Sequence, residues 1–200
     1  LHLALMYKNH ESASNACNSA NKVPKKVGGI SLSHALNTRG GVHSEFTILK
    51  EGAESYYLVS AGALQRLDHD YLKKHMPRDG SVVFTQLTSA MGVLVVAGPK
   101  SKQLLERVSS ADFSNKKFRW LTGQEISVGG APVKALRVNF VGELGWELHI
   151  PSAACVPVYM ALMEAGEEFG LVNAGYRAID SLRYRSFPDL HLANSLTLTY

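Results

Sequence analysis

The segment Arg137–Ile150, RVNFVGELGWELHI, gathers two carboxylates and two aromatic rings around a glycine-rich turn. Strand alternation after Gly145 sets Trp146, Leu148 and Ile150 toward a core and Glu147 and His149 toward the other face; before the turn, Leu136, Val138 and Phe140 oppose Arg137 and Asn139. Glu143 and Glu147 therefore flank the turn beside Phe140 and Trp146. A carboxylate next to an aromatic wall can grip a planar ring whose edge carries adjacent N–H donors. Two parallel charge-assisted hydrogen bonds fix the ring's orientation while its face packs on apolar surface. Pterins and guanines have such an edge. The spacing by itself favours a plainer arrangement, in which Glu143 caps a hairpin turn and Glu147 pairs with a surface cation.

Other reactive patterns are missing. Gly28-Gly29 and Gly129-Gly130 belong to neither a GxGxxG nor a phosphate-loop pattern, and the sequence contains no HExxH or GxSxG. The eight histidines include no pair at metal-ligand spacing with a supporting carboxylate motif, so no metal site is expected. His43 and Glu45 stand two apart on one strand face and read as a solvated pair. Cys17 and Cys155 lie far apart without a CxxC pattern, and both are expected as free thiols.

The elements that must position these groups follow from periodicity. ISLSHAL, a turn over Asn37–Gly41, and VHSEFTILK form a hairpin signal, with Val42, Ser44, Phe46 and Ile48 alternating against His43, Glu45 and Thr47. The strand SYYLVSAG leads into a helix over ALQRLDHDYLKKHM, with Leu64, Leu67, Tyr71 and Leu72 at helical spacing, ended by Pro77 and Asp79-Gly80. Strands SVVFTQL and MGVLVVAG precede a helix opened by Pro99; strands VKALRVNF and WELHIP precede the long helix CVPVYMALMEAGEEFG, stopped at Gly170, with Val158, Leu162 and Met163 on its apolar side. A last helix begins at YRAIDSLR. A short helix is expected near HESASNACNSANK. Strands in pairs followed by helices, without strict βαβ rotation, indicate an α+β fold whose antiparallel sheets are covered by helices.

Composition sets the outer limits. Two hundred residues with 46% hydrophobic content describe a folded, soluble chain, and 21 basic against 17 acidic residues, spread along the sequence, point to no nucleic-acid or membrane partner. No apolar run approaches the roughly 20 residues that span a bilayer.

From about Val23 to Arg183 the sequence resembles the aminomethyltransferase family of the glycine cleavage T-protein, and more closely the folate-binding portion of dimethylglycine and sarcosine dehydrogenases. The residues that carry the likeness are SHALNTRGGVHSEFTI, YYLVSAG, MGVLVVAGPKS, RVNFVGELGWELHIP and NAGYRAIDSLR, in the family's order with similar gaps. The resemblance implies a tetrahydrofolate site that captures one-carbon units released from an N-methyl amine. It implies that Glu147 binds the pteridine, that Arg183 lies near the same site, that Phe140 replaces a family tyrosine in the ring's wall, and that Glu143 is a neighbour.

The departures are specific. T-proteins carry GGVxDD at the hairpin, the first Asp being the proposed catalytic carboxylate; here the stretch reads GGVHSE, with Ser44 at that position. Serine cannot take up a proton near neutral pH, so the candidate catalytic base is Glu45, whose side chain alternation turns away from that of Ser44. Ser-Glu at this point favours the dehydrogenase branch, and Leu32 stands where many T-proteins have tyrosine. Beyond Arg183 the family continues with a LEKGYRxWG-like stretch, whereas here the sequence reads YRSFPDLHLANSLTLTY.

The resulting expectations are an aminomethyltransferase-like folate-binding domain over residues 23–185, after an undefined segment 1–22 and before a divergent tail 186–200. The fold is expected to be incomplete on its C-terminal side, with Leu190, Leu192, Leu196 and Leu198 covering exposed apolar surface and with marginal stability or self-association as the consequence. The expected cofactor is tetrahydrofolate, with FAD only where a separate upstream oxidoreductase domain is present. The expected compartment is the bacterial cytoplasm or the mitochondrial matrix. The alternative is a non-catalytic regulatory or interaction module that keeps the fold; a demethylase using folate as methyl acceptor shares the same pocket.

Overall fold

The computed structural model describes residues 2–7 and 22–186. The expected helix near HESASNACNSANK and the leucines of the tail lie outside those residues. The described chain forms two compact units, one made of the residues up to Gly92 with Leu121–Gln124, the other of Val93–Trp120 and the residues from Glu125 onward.

The first unit holds a five-stranded sheet. Its strands are β1 (His2–Tyr7), β2 (Ile30–Leu36), β3 (Val42–Lys50), β4 (Ser55–Val59) and β5 (Val82–Gln86), in the order β2-β3-β4-β1-β5. The β1–β4, β1–β5, β2–β3 and β3–β4 pairs are antiparallel. Asn37 closes the β2–β3 hairpin: its Oδ1 accepts from the backbone N–H groups of Arg39 and Gly41, each at 2.9 Å. β1 lies between β4 and β5, so a segment that the sequence left undefined supplies an inner strand. Tyr56, Tyr57 and Leu58 are consecutively buried, as expected of an inner strand with both faces covered.

Helix α1 (Gln65–His75) packs Tyr71 and Leu72 onto Ala35, Phe46, Ile48 and Val82. Its apolar face differs from the expected one, because Leu64 and Leu67 are exposed while Asp68 is buried. Leu64 belongs to a preceding 3-10 turn, Gly62–Leu64, and so falls out of phase with the α-helix; Asp68, Tyr71 and Leu72 share the i, i+3, i+4 arc that faces the sheet.

The second unit holds a four-stranded sheet of β6 (Met91–Ala97), β7 (Gly123–Val128), β8 (Ala131–Leu136) and β9 (Gly145–Pro151), ordered β6-β9-β8-β7. Helices α2 (Ser101–Val108) and α3 (Cys155–Gly166) cover it, burying Leu104, Leu105, Val158 and Leu162 against Val133, Leu148 and Ile150. Trp146 is fully buried there, with Phe113 edge-on at 5.4 Å between ring centroids. α2 begins after Pro99, not at it, since Lys100 is its N-cap. The N–H of Gly98 (2.8 Å) and the Ser101 hydroxyl (3.1 Å) both donate to the Leu144 carbonyl, and that tie delays entry into the helix. α3 stops at Gly166, and a 3-10 turn, Glu167–Phe169, carries the chain to Gly170; Met163 is only half-buried. Helix α4 (Tyr176–Ser186) closes the described chain.

Candidate functional site

The Arg137–Ile150 segment follows the expected strand–turn–strand course with two corrections. First, β8 ends at Leu136, so Phe140 is not a core-facing strand residue; it sits in the turn and is 48% exposed. Arg137 follows directly after the strand. Its guanidinium donates to the Phe118 carbonyl and to Asn115 Oδ1 (2.6 Å) and lies 5.4 Å from the Trp146 ring. Second, His149 does not face solvent: its relative exposure is 0%. Of the two expected wall rings, Trp146 belongs wholly to the core and Phe140 alone is accessible.

Asn139 shapes the turn and was not a candidate from the sequence. Its Oδ1 accepts from the Val141 N–H (2.6 Å) and its Nδ2 donates to the Glu143 carbonyl (2.8 Å), so one amide side chain bridges the loop that carries Phe140 and Glu143. An Asn three residues ahead of a Gly-Glu turn is the kind of signal that could have identified it. Gly145 fits under this staple at the start of β9: a Cβ there would lie 2.5 Å from Asn139 Nδ2 and 2.7 Å from the Val96 carbonyl oxygen.

Arg183 and Phe140 are brought together. Arg183 on α4 donates from Nη1 to the Phe140 carbonyl at 2.7 Å, and its guanidinium carbon stands 3.7 Å from the centre of the Phe140 ring. This is a stacked cation–π pair with a charge-assisted hydrogen bond at its base. Glu147, in the middle of β9 and opposite Leu136 on β8, keeps a partly exposed carboxylate, with Oε2 3.3 Å from His149 Nε2. Burial holds the His149 imidazole below its ordinary pKa, an effect that the hydrogen bond and charge of Glu147 oppose. Glu143 is half-buried in the turn, its carbonyl engaged by Asn139.

The hairpin residues belong to the first unit. Ser44 is 3% exposed with a hydroxyl that has no hydrogen-bond partner, while Glu45 points outward with a side chain 63% exposed. Glu45 pairs with His34 across the strands at 3.0 Å and not with His43, as alternation had suggested. A bulge is the reason. Leu36 pairs with Val42 and Ala35 with Ser44, so His43 is the extra residue and its ring turns onto Tyr71, 4.4 Å between centroids and stacked at 26°. With Tyr71, Lys74 and His75 it lines a cavity of about 410 Å³ that strand alternation could not foresee.

Among the described residues, no cluster of three or more His, Cys, Asp or Glu is placed to hold a metal ion, and no helix is long and apolar enough to cross a membrane. Cys155 is a free thiol, its Sγ 3.7 Å from the carbonyls of Ile150 and Pro151; Cys17 is outside the described residues.

Known proteins share this architecture. The crystal structure of the glycine cleavage system aminomethyltransferase T from Bartonella henselae superimposes with a TM-score of 0.72 over 91% of this chain and 47% of that one, at 19% identity. That likeness establishes the fold as aminomethyltransferase-like, antiparallel sheets with covering helices. Residues 12–187 match the GCVT N-terminal domain, and the chain belongs to that family. It is 40% identical over 161 residues to mitochondrial sarcosine dehydrogenase of Mus musculus (74% of this chain, 18% of that protein). It is 34% identical over 165 residues to mitochondrial dimethylglycine dehydrogenase of Homo sapiens (82% and 19%). The chain thus spans about a fifth of the length of these relatives.

Proposed function

We propose that this chain is the tetrahydrofolate-binding, one-carbon transfer portion of a sarcosine- or dimethylglycine-dehydrogenase-like enzyme, with the folate domain over residues 23–185 and a divergent tail beyond it. The observation that carries the reading is the pairing of Arg183 with Phe140 next to a strand that presents Glu147. The Phe140–Glu147 stretch and the last helix together supply a planar cationic–aromatic surface and a carboxylate acceptor, the two features that a pterin ring with adjacent N–H donors requires. Tetrahydrofolate, when bound, supplies the nitrogens that capture a one-carbon unit from an oxidised N-methyl amine as methylenetetrahydrofolate. In this reading Glu147 accepts hydrogen bonds from the pteridine edge, Arg183 and Phe140 support its face, and Glu143 borders the turn. Glu45 handles protons; its support is an accessible carboxylate hydrogen-bonded to His34. The amine's oxidation belongs to a FAD-dependent domain outside these 200 residues. The mitochondrial relatives support a matrix location, and a bacterial cytoplasm suits the same chemistry.

Thermal unfolding with and without tetrahydrofolate tests the reading. A binding-competent chain gains about 2.7 kcal/mol at a hundredfold excess over its dissociation constant, whereas a chain that does not bind gains nothing. A second reading, a non-catalytic module retaining the fold, is favoured by one observation: Ser44 is buried and cannot substitute for a carboxylate, and its neighbour Glu45 faces away. No stabilisation by folate would select it.

A further inference from the structure

A histidine with no exposed surface sits two residues from the partly exposed carboxylate of Glu147 and reaches it with a ring nitrogen. We propose that His149 is a positioning residue for Glu147: its imidazole donates from Nε2 to Oε2 and fixes the carboxylate so that its other oxygen is presented outward. The inference rests on the folate reading for what Glu147 receives, and on this structure alone for how it is held.

The chemistry of the pair determines its direction. A carboxylate has no donor, so the 3.3 Å contact between His149 Nε2 and Glu147 Oε2 requires the hydrogen to reside on Nε2. Burial favours the neutral ring, and a neutral ring with Nε2–H has one tautomer to adopt. The charged and titratable groups around it are Glu147 on its own strand and Lys134, directly opposite on β8, whose ammonium lies 3.7 Å from Glu125. His149 cannot touch a ligand from the outside, because its side chain has no exposed surface, on the face of β9 that it shares with Glu147 and opposite that of Trp146, Leu148 and Ile150. A free glutamate on a strand samples several rotamers, and holding one of them removes an entropy cost that ligand binding would otherwise meet.

The test is a double-mutant cycle on the full chain read by tetrahydrofolate titration, together with the ¹⁵N imidazole signals of His149 without ligand. His149→Leu is expected to weaken binding about tenfold, the loss of one hydrogen bond to a charged group. His149→Gln, whose amide nitrogen replaces Nε2, is expected to restore binding to within about twofold. In a Glu147→Gln background, His149→Leu is expected to add little. Additive losses in the two backgrounds, or no rescue by His149→Gln, would overturn the proposal and leave His149 as core packing. Should the wild-type chain not bind tetrahydrofolate, the folate reading fails first and the ligand-free spectrum decides the positioning. An Nε2–H tautomer that is altered in Glu147→Gln upholds it; a spectrum indifferent to that substitution overturns it.

Discussion

Replacing Gly145 by alanine should damage the fold and the candidate site together. Gly145 opens β9 beside β6, and its backbone needs no positive φ, so the penalty is purely one of space. An added Cβ would meet Asn139 Nδ2 at 2.5 Å, the Val96 carbonyl oxygen at 2.7 Å and the Ala97 Cα at 3.1 Å. The asparagine can swing aside, but the two backbone atoms belong to a paired strand and cannot. Overpacking of this kind costs about 1–3 kcal/mol. A displaced Asn139 also forfeits its bonds to Val141 and Glu143, about 1 kcal/mol each net. The expected loss is therefore about 3–5 kcal/mol, which urea unfolding followed by tryptophan fluorescence measures directly, since Trp146 is the next residue. Gly142→Ala is the control. Gly142 lies in the turn with φ of +81°, so its substitution costs about 1–2 kcal/mol of backbone strain. If Gly145→Ala unfolds within about 0.5 kcal/mol of wild type, β6 and β9 separate freely and the staple by Asn139 is not a constraint.

Further expectations concern charge and stacking. Because burial depresses the folded-state pKa of His149, the unfolded chain binds the extra proton first. The stability contributed is then fully present above the ordinary histidine pKa near 6.5 and falls as pH drops below it, by at most about 1.4 kcal/mol per pH unit. His149→Phe should flatten that part of a stability–pH profile, and an unchanged slope would show that the titration lies elsewhere. Ser44→Asp, which restores the family's carboxylate, should destabilise by about 1–3 kcal/mol because it enters a buried position without a partner. Ser44→Ala should be neutral or mildly stabilising, checked by the same unfolding curves. A double-mutant cycle of Phe140→Leu with Arg183→Met should give a coupling of about 0.5–1 kcal/mol for the stacked pair, and zero coupling would dissolve the contact.

Alternation and turn chemistry made most elements readable from the chain. The β2–β3 hairpin, the β8–β9 pair and the helices after Pro99, Pro151 and Gly175 follow from period-2 and period-3.6 patterns and from the Asn, Gly and Pro residues between them. The failures have local causes. His43 was misplaced because a bulge adds a residue that no alternation rule anticipates. Alternation continued through Arg137 puts Phe140 in the core, whereas β8 ends at Leu136 and Phe140 falls in a turn that the Asn139 side chain braces. Alternation puts His149 with Glu147 on the face opposite Trp146 but cannot show that this face is closed over the ring: β9 is an inner strand between β6 and β8, and His149 is buried while Glu147 keeps some exposure. Asn139 went unnoticed because its contribution is to shape a loop rather than to present a reactive group. Arg183 and Phe140 lie 43 positions apart in sequence, and only the fold brings them into contact.

Calorimetric titration of the full chain with tetrahydrofolate, repeated for Glu147→Ala and Arg183→Ala, tests the proposed role most directly. Saturable binding by the wild type, weakened at least tenfold by each substitution while the unfolding midpoint is retained, is the predicted result. Wild-type binding that both substitutions leave untouched, or no heat of binding at all, would contradict it.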